Sequence, residues 1–145
     1  MKTNILRATI NNEAAAEMAT TYQRGIDWKR ACSYDDRPNG ILKDRAEQMP
    51  TPSVEDKFKS ADAVEELIEL CQELISFIVD EYIARNDVVF DYEDLIYVGR
   101  RGFLNSLYDF KPKSDLLSDF VVPFINMALF AFIADSDTFD TEMPN

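Results

Sequence analysis

Apolar residues recur at steps of three and four from Val64 onward: Val64, Leu67, Ile68, Cys71, Leu74, Ile75, Ile78, Tyr82 and Ile83. That period predicts one face of a helix over residues 61–86. Its opposite face carries Glu65, Glu66, Glu69, Glu73, Asp80 and Glu81. A second helix is predicted from Asp91 toward residue 110, with Tyr92, Leu95, Ile96, Gly99, Phe103, Leu107 and Phe110 in helical register. Asp91 starts it, and Asp94 adds a carboxylate to the first turn, where the helix dipole favours one. Gly99 and Gly102 each cost this helix up to about 1 kcal/mol against alanine. Close approach of a neighbouring backbone is the expected compensation.

Lys111-Pro112-Lys113-Ser114 breaks the pattern, and Ser114 or Ser118 is the expected cap of a third helix. Its stretch Phe120–Ala134 holds a single polar residue, Asn126. That stretch is shorter than the roughly 20 residues needed to cross a bilayer. Residues 120, 121, 124, 125, 128, 129, 132 and 133 form one core stripe. Val122, Met127, Phe130 and Ala131 must then face something else. A helix apolar all round is expected to be buried on all sides, by a second protein or by residues 1–57 folding over it. Pro123 is expected to kink its first turns.

The N-terminal third is less patterned. Residues 12–24 favour a helix that Gly25 would end. Arg37-Pro38-Asn39-Gly40 signals a turn, and Met49-Pro50-Thr51-Pro52-Ser53 signals a linker. Trp28 reads as a core or docking anchor. The expected division is a helical extension and linker over 1–57, a helical domain over 58–136 and an acidic tail over 137–145. The fold class is all-α.

Charge changes the picture. The chain has 145 residues and a formal net charge of −12, from 15 Lys and Arg against 27 Asp and Glu. Residues 1–57 are neutral, so the whole excess lies beyond them, and no Lys or Arg occurs from Ser114 to Asn145. Such a balance argues against unaided binding to nucleic acid or an anionic membrane. The absence of histidine removes the commonest general base and metal ligand. Cys32 and Cys71 make no disulfide framework, and Cys71 falls on the apolar face of the first long helix. No signal peptide is expected from the N-terminus. The reading is a cytoplasmic, non-enzymatic protein with no metal site and no cofactor.

Two stretches carry a resemblance. Asp91 to Phe110 contains Asp94-Leu95-Ile96, then Gly99 and Gly102, then Tyr108-Asp109-Phe110. After a short gap comes Leu117-Ser118-Asp119-Phe120-Val121-Val122-Pro123-Phe124-Ile125. In order and spacing these resemble the second conserved region of bacterial RNA polymerase sigma factors, over about residues 60–136. The resemblance implies a compact helical domain whose first motif helix binds the clamp coiled coil of the polymerase largest subunit. Carried onto this chain, that contact falls on Asp94, Tyr97, Val98, Arg100 and Leu104. Here Tyr97 stands for the family's Gln, Val98 for a frequent Glu, and Arg101 for an apolar Ile.

The family's second motif helix melts and reads promoter DNA, and here it departs much further. Phe120 and Phe124 keep aromatics as vestiges of the DNA-reading set. However, Pro123 replaces a common Trp, and Asn126, Phe130, Ala131 and Ala134 occupy the family's basic positions. Stacking without cations makes a poor DNA binder. The resemblance therefore implies a sigma-like transcription regulator that contacts polymerase core through protein surfaces, with Val122, Met127 and Phe130 meeting a second protein. Two alternatives are a mimic that sequesters an anti-sigma factor and a helical oligomerisation module.

Overall fold

The computed structural model describes residues 10–33 and 41–142, with side chains placed except at residues 41 and 136–142. The described residues form six helices and no strand: α1 (Asn12–Arg24), α2 (Trp28–Ser33), α3 (Ile41–Gln48), α4 (Val54–Asn86), α5 (Tyr92–Asp109) and α6 (Leu117–Glu142). The expected all-α class is what the chain adopts. The turn expected at Arg37–Gly40 lies outside the described residues.

Helix ends follow local chemistry. Asn11 caps α1 by accepting from the Ala14 amide at 3.0 Å, and the helix spans the expected 12–24. Gly25 stops it, but for a different reason than a left-handed cap, since its φ is −94°. A Cβ at Gly25 would lie 2.5 Å from the Asp56 carbonyl oxygen and against Ser60 as well. Ser60 meanwhile donates its hydroxyl to the Tyr22 carbonyl at 2.6 Å. The backbone of α4 therefore sets the requirement for glycine.

Helix α4 begins seven residues before the apolar stripe predicts. Ser53 accepts from the Asp56 amide at 3.1 Å, and Glu55 and Asp56 occupy the dipole-favoured first turn. Val54 and Phe58 remain exposed, so this turn has no core stripe to betray it in the sequence. The expected linker therefore stops at Ser53, and the boundary expected between residues 57 and 58 is no break in the backbone. At the other end the Asn86 side chain donates to the Tyr82 carbonyl at 2.9 Å, and Asp87 takes the left-handed φ of 52° that turns the chain.

Helix α5 starts as predicted, with the Asp91 carboxylate accepting from the Glu93 amide at 3.0 Å. Neither serine offered as the cap of α6 occupies the capping position. Ser114 belongs to the preceding turn, donating its amide to the Lys111 carbonyl, and Ser118 lies buried inside the first helical turn. Asp115 closes that turn by accepting from the Lys111 amide at 3.0 Å. Helix α6 runs unbroken past Pro123 to Glu142, taking in the first residues of the expected acidic tail.

The chain divides into two compact units. One contains Asn11–Leu70 with Leu107–Leu117, and the other contains Cys71–Ser106 with the chain from Ser118 onward. In the first unit α2 packs on α3, and Trp28 is a core anchor, 2% exposed. Its indole N–H donates to the Gln23 carbonyl, its ring meets Tyr108 edge-on at 6.0 Å, and the Arg45 guanidinium lies 4.8 Å over it. Gln23 is the peg of this unit. Its buried amide donates to the carbonyls of Leu107 at 2.9 Å and Phe110 at 2.7 Å, satisfying the C-terminal turn of α5 across more than eighty residues of sequence.

In the second unit the cores of α4, α5 and α6 meet through Leu74, Ile75, Ile78, Val79, Leu95, Phe103, Val121, Ile125 and Leu129, all buried. The expected approach of a neighbouring backbone is present at Gly102, whereas side chains crowd Gly99 instead. A Cβ at Gly102 would lie 2.8 Å from the Phe124 carbonyl oxygen and 2.9 Å from the Ile125 Cα. One at Gly99 would meet the side chains of Val79 and Ile75 at 2.9 and 3.3 Å. Alanine's helix propensity is forgone so that α6 can pack directly on the α5 backbone.

Candidate functional site

Two solvent-facing helix faces of the second unit hold the residues singled out by sequence. On α5, Leu95, Gly99, Phe103 and Ser106 turn inward and are buried. The opposite arc therefore has to face solvent, and it carries Asp94, Tyr97, Arg100 and Arg101 exposed and Leu104 half-buried. Tyr97 is 62% exposed, so most of its ring surface is left open by the described residues. The helix bearing this face is anchored at its start, where burial and a hydrogen bond to Asp80 push the Tyr92 phenol above its ordinary range. Of the five residues assigned to the clamp contact, four share this arc. Val98 is the fifth; it is half-buried on the ridge that also holds Gly102, at the seam with α6.

The α6 expectation needs correction. The helix is not buried on all sides. Leu117, Val121, Ile125 and Leu129 are buried at one-turn intervals, while Pro123, Met127, Phe130 and Ala131 form an exposed stripe on the opposite side. Met127 is 67% and Phe130 61% exposed, so none of the described residues covers them. Val122 does not join this stripe. It is half-buried and lines a groove of about 250 Å³ with Ile78, Glu81, Tyr82, Arg85 and Asn126. Phe120 and Phe124 are half-buried and stack on each other with centroids 5.2 Å apart. Phe90 reaches α6 in the same way, at 5.6 Å from Phe132.

The expectation that the apolar segment is too short for a membrane also changes. Leu117–Asp135 forms a helical window of 19 residues, long and apolar enough to cross one by length and composition. The buried face just described makes it a packed core helix of this unit as well.

Among the described residues, no group of three or more His, Cys, Asp or Glu side chains stands close enough to hold a metal ion. Burial pushes the Cys71 thiol up to about 12, which leaves it a protonated core residue rather than a nucleophile. Sequence reasoning missed Tyr92 and Val89, both exposed, because Tyr92 sits in register with the core stripe and Val89 lies between helices. No protein-family model, curated protein or solved structure matches the chain.

Proposed function

We propose that this chain is a non-enzymatic helical interaction module, with two docking faces on adjacent helices. Its particular role is that of a cytoplasmic sigma-like transcription regulator that binds polymerase core and leaves promoter reading to others. The observation that carries this reading is the shared exposed arc of Asp94, Tyr97, Arg100 and Leu104 on α5. Four of the five residues assigned by resemblance to one protein contact lie side by side on one surface, and Val98 falls at the seam with α6. The acidic, cation-free α6 supports the division of labour, because a helix without Lys or Arg gains nothing from phosphate neutralisation.

Binding of the purified chain to the isolated clamp coiled coil tests the proposal. Asp94→Arg and Tyr97→Ala are expected to weaken binding by about tenfold or more each, as central anchors do. If neither the coiled coil nor polymerase core binds the unmodified chain, the reading is wrong. A sigma mimic that occupies an anti-sigma factor is the second reading, favoured by the exposed apolar stripe of α6 where the family places its DNA contacts. Capture of a small anti-sigma protein in place of polymerase subunits separates the two.

A further inference from the structure

Helix α1 runs antiparallel to α4 in a register that contacts of the first unit fix. A Cβ at Gly25 would meet the Asp56 carbonyl oxygen, Ser60 donates to the Tyr22 carbonyl, and Met18 lines a groove with Ala63. Carried back along α1, that register sets Ile10 level with Cys71. The second unit takes over at both residues: Ile10, half-buried, belongs to it, whereas its neighbour Asn11 opens the first. The chain before Ile10 is therefore delivered to the second unit.

The track of α1 along α4 leads into a groove. Ser60 and Ile78 are eighteen residues apart on this unbroken helix, as are Ala63 and Glu81. Eighteen residues make about five whole turns, so each pair points the same way. The face of α4 that carries α1 is thus, further along, the face that opens the groove of about 250 Å³ against α6. Its floor is apolar, with Ile78 4% exposed and Val122 half-buried. Its rim is polar, with the Glu81–Arg85 pair at 2.6 Å and Asn126.

The residues before Ile10 match that groove in polarity, reach and charge. Leu6 and Ile10 fall on one side of the chain in either regular backbone, being one turn apart on a helix and an even number apart on a strand. In an extended chain Leu6 lies about 13 Å beyond Ile10, while α4 rises about 11 Å from Cys71 to Ile78 and about 15 Å to Glu81. Leu6 therefore draws level with the groove. Asn126, the single polar residue of Phe120–Ala134, offers an amide donor and an acceptor to an extended backbone there. Residues 1–9 hold Lys2 and Arg7 and no acid, whereas residues 71–106 hold seven Asp and Glu against three Arg.

We infer that residues 1–9 lie as an extended strap in the α4–α6 groove, with Leu6 seated on Ile78 and Val122. A free occupant with equal contacts starts at a disadvantage, because a tethered segment is present at an effective concentration on the order of millimolar. The strap covers Val122 from within the chain. It goes beyond the reading above and uses neither the α5 arc nor Met127 and Phe130.

Methyl NMR and trypsin digestion of the full chain test it. Nuclear Overhauser contacts are expected from the Leu6 methyls to those of Ile78 and Val122, and cleavage after Arg7 reads how often the strap lifts. Val122→Ser, which leaves the strap itself unchanged, is expected to remove the Leu6–Ile78 contact. Both Val122→Ser and Leu6→Ser should speed cleavage after Arg7 by about fivefold or more, with the circular dichroism spectrum unchanged. Leu6→Ser alters no described helix, so it decides the matter should Val122→Ser fail to fold. Asp94→Arg and Tyr97→Ala should change neither readout, so a failure here is distinct from a failure at the polymerase contact. Absence of the Leu6 contacts in the unmodified chain, or cleavage after Arg7 equally fast in it and in Leu6→Ser, overturns the inference. So do contacts seen only between differently labelled copies, which would give the groove to a second copy.

Discussion

Replacing Gly102 by alanine sets a gain in helix propensity against a steric cost, and the structure decides which is larger. The propensity gain in the interior of α5 is about 1 kcal/mol. Against it, the new Cβ would lie 2.8 Å from the Phe124 carbonyl oxygen, 2.9 Å from the Ile125 Cα and 3.0 Å from the Ala128 Cβ. Ordinary contacts of this kind begin near 3.4 Å. Every clashing atom is backbone or Cβ, so no rotamer change relieves the overlap and α6 itself must retreat by roughly half an ångström. That retreat loosens Val121, Ile125 and Leu129, which are fully buried against the neighbouring helices. Overpacking costs about 1–3 kcal/mol, and a rigid backbone clash belongs at the upper end. The net expectation is a loss of about 2 kcal/mol.

Gly99→Ala serves as the comparison, because its Cβ meets the γ-methyls of Val79 and Ile75, side-chain atoms that can shift by a few tenths of an ångström without moving a helix. There gain and cost nearly cancel, to within about 0.5 kcal/mol. Urea unfolding followed by circular dichroism reads both variants. With a slope of about 2 kcal/mol per molar, Gly102→Ala should lower the midpoint by about 1 M. A Gly102→Ala midpoint at or above that of the unmodified chain would refute the close-packing account of this glycine.

Further outcomes follow from the same geometry. Gln23→Leu strips the Leu107 carbonyl of its amide donor while the Phe110 carbonyl keeps the Arg45 guanidinium at 3.0 Å, and is expected to cost about 1–2 kcal/mol, read from the urea midpoint. The single tryptophan gives a local reporter. Emission from buried Trp28 should shift to longer wavelength on unfolding, and Trp28→Phe should lower stability by about 1–2 kcal/mol through the lost hydrogen bond to Gln23 and the weaker contact under Arg45. Alkaline pH should destabilise the fold. The Cys71 thiol is pushed up to about 12, whereas in the unfolded chain it ionises near about 8.5, so the unfolded state sheds its proton first. Stability is therefore full below about pH 8.5 and falls as pH rises toward 12, and Cys71→Ala should flatten that fall. Tyr22, raised by burial and by Tyr108, adds to the loss at the upper end of the range. Under native conditions Cys32, which is half-buried, should react with a thiol reagent well before Cys71.

Helix content was legible where a signal is local. The Asp91 cap, the propensity of residues 12–24, the apolar spacing of α4 and α5, and the two internal glycines all announced themselves within a few residues. The start of α4 was not legible, because its first two turns rest on Ser53 and the Glu55–Lys59 pair at 2.9 Å instead of on a buried stripe. Gln23 was invisible for another reason. Nothing in a polar residue on a predicted helix says that its amide will reach carbonyls more than eighty residues away.

The candidate site divides the same way. Asp94, Tyr97, Arg100 and Leu104 were singled out by resemblance, not by periodicity, whereas spacing alone put Met127 and Phe130 off the α6 core stripe that holds Val121, Ile125 and Leu129. Sequence could not say which side would be covered, because a helix apolar all round offers no polar face to mark the outside. The packing of α6 on Gly102 made that choice, burying one stripe and leaving the other to solvent. Periodicity is a property of each helix by itself, whereas exposure depends on how many neighbours the fold brings to it.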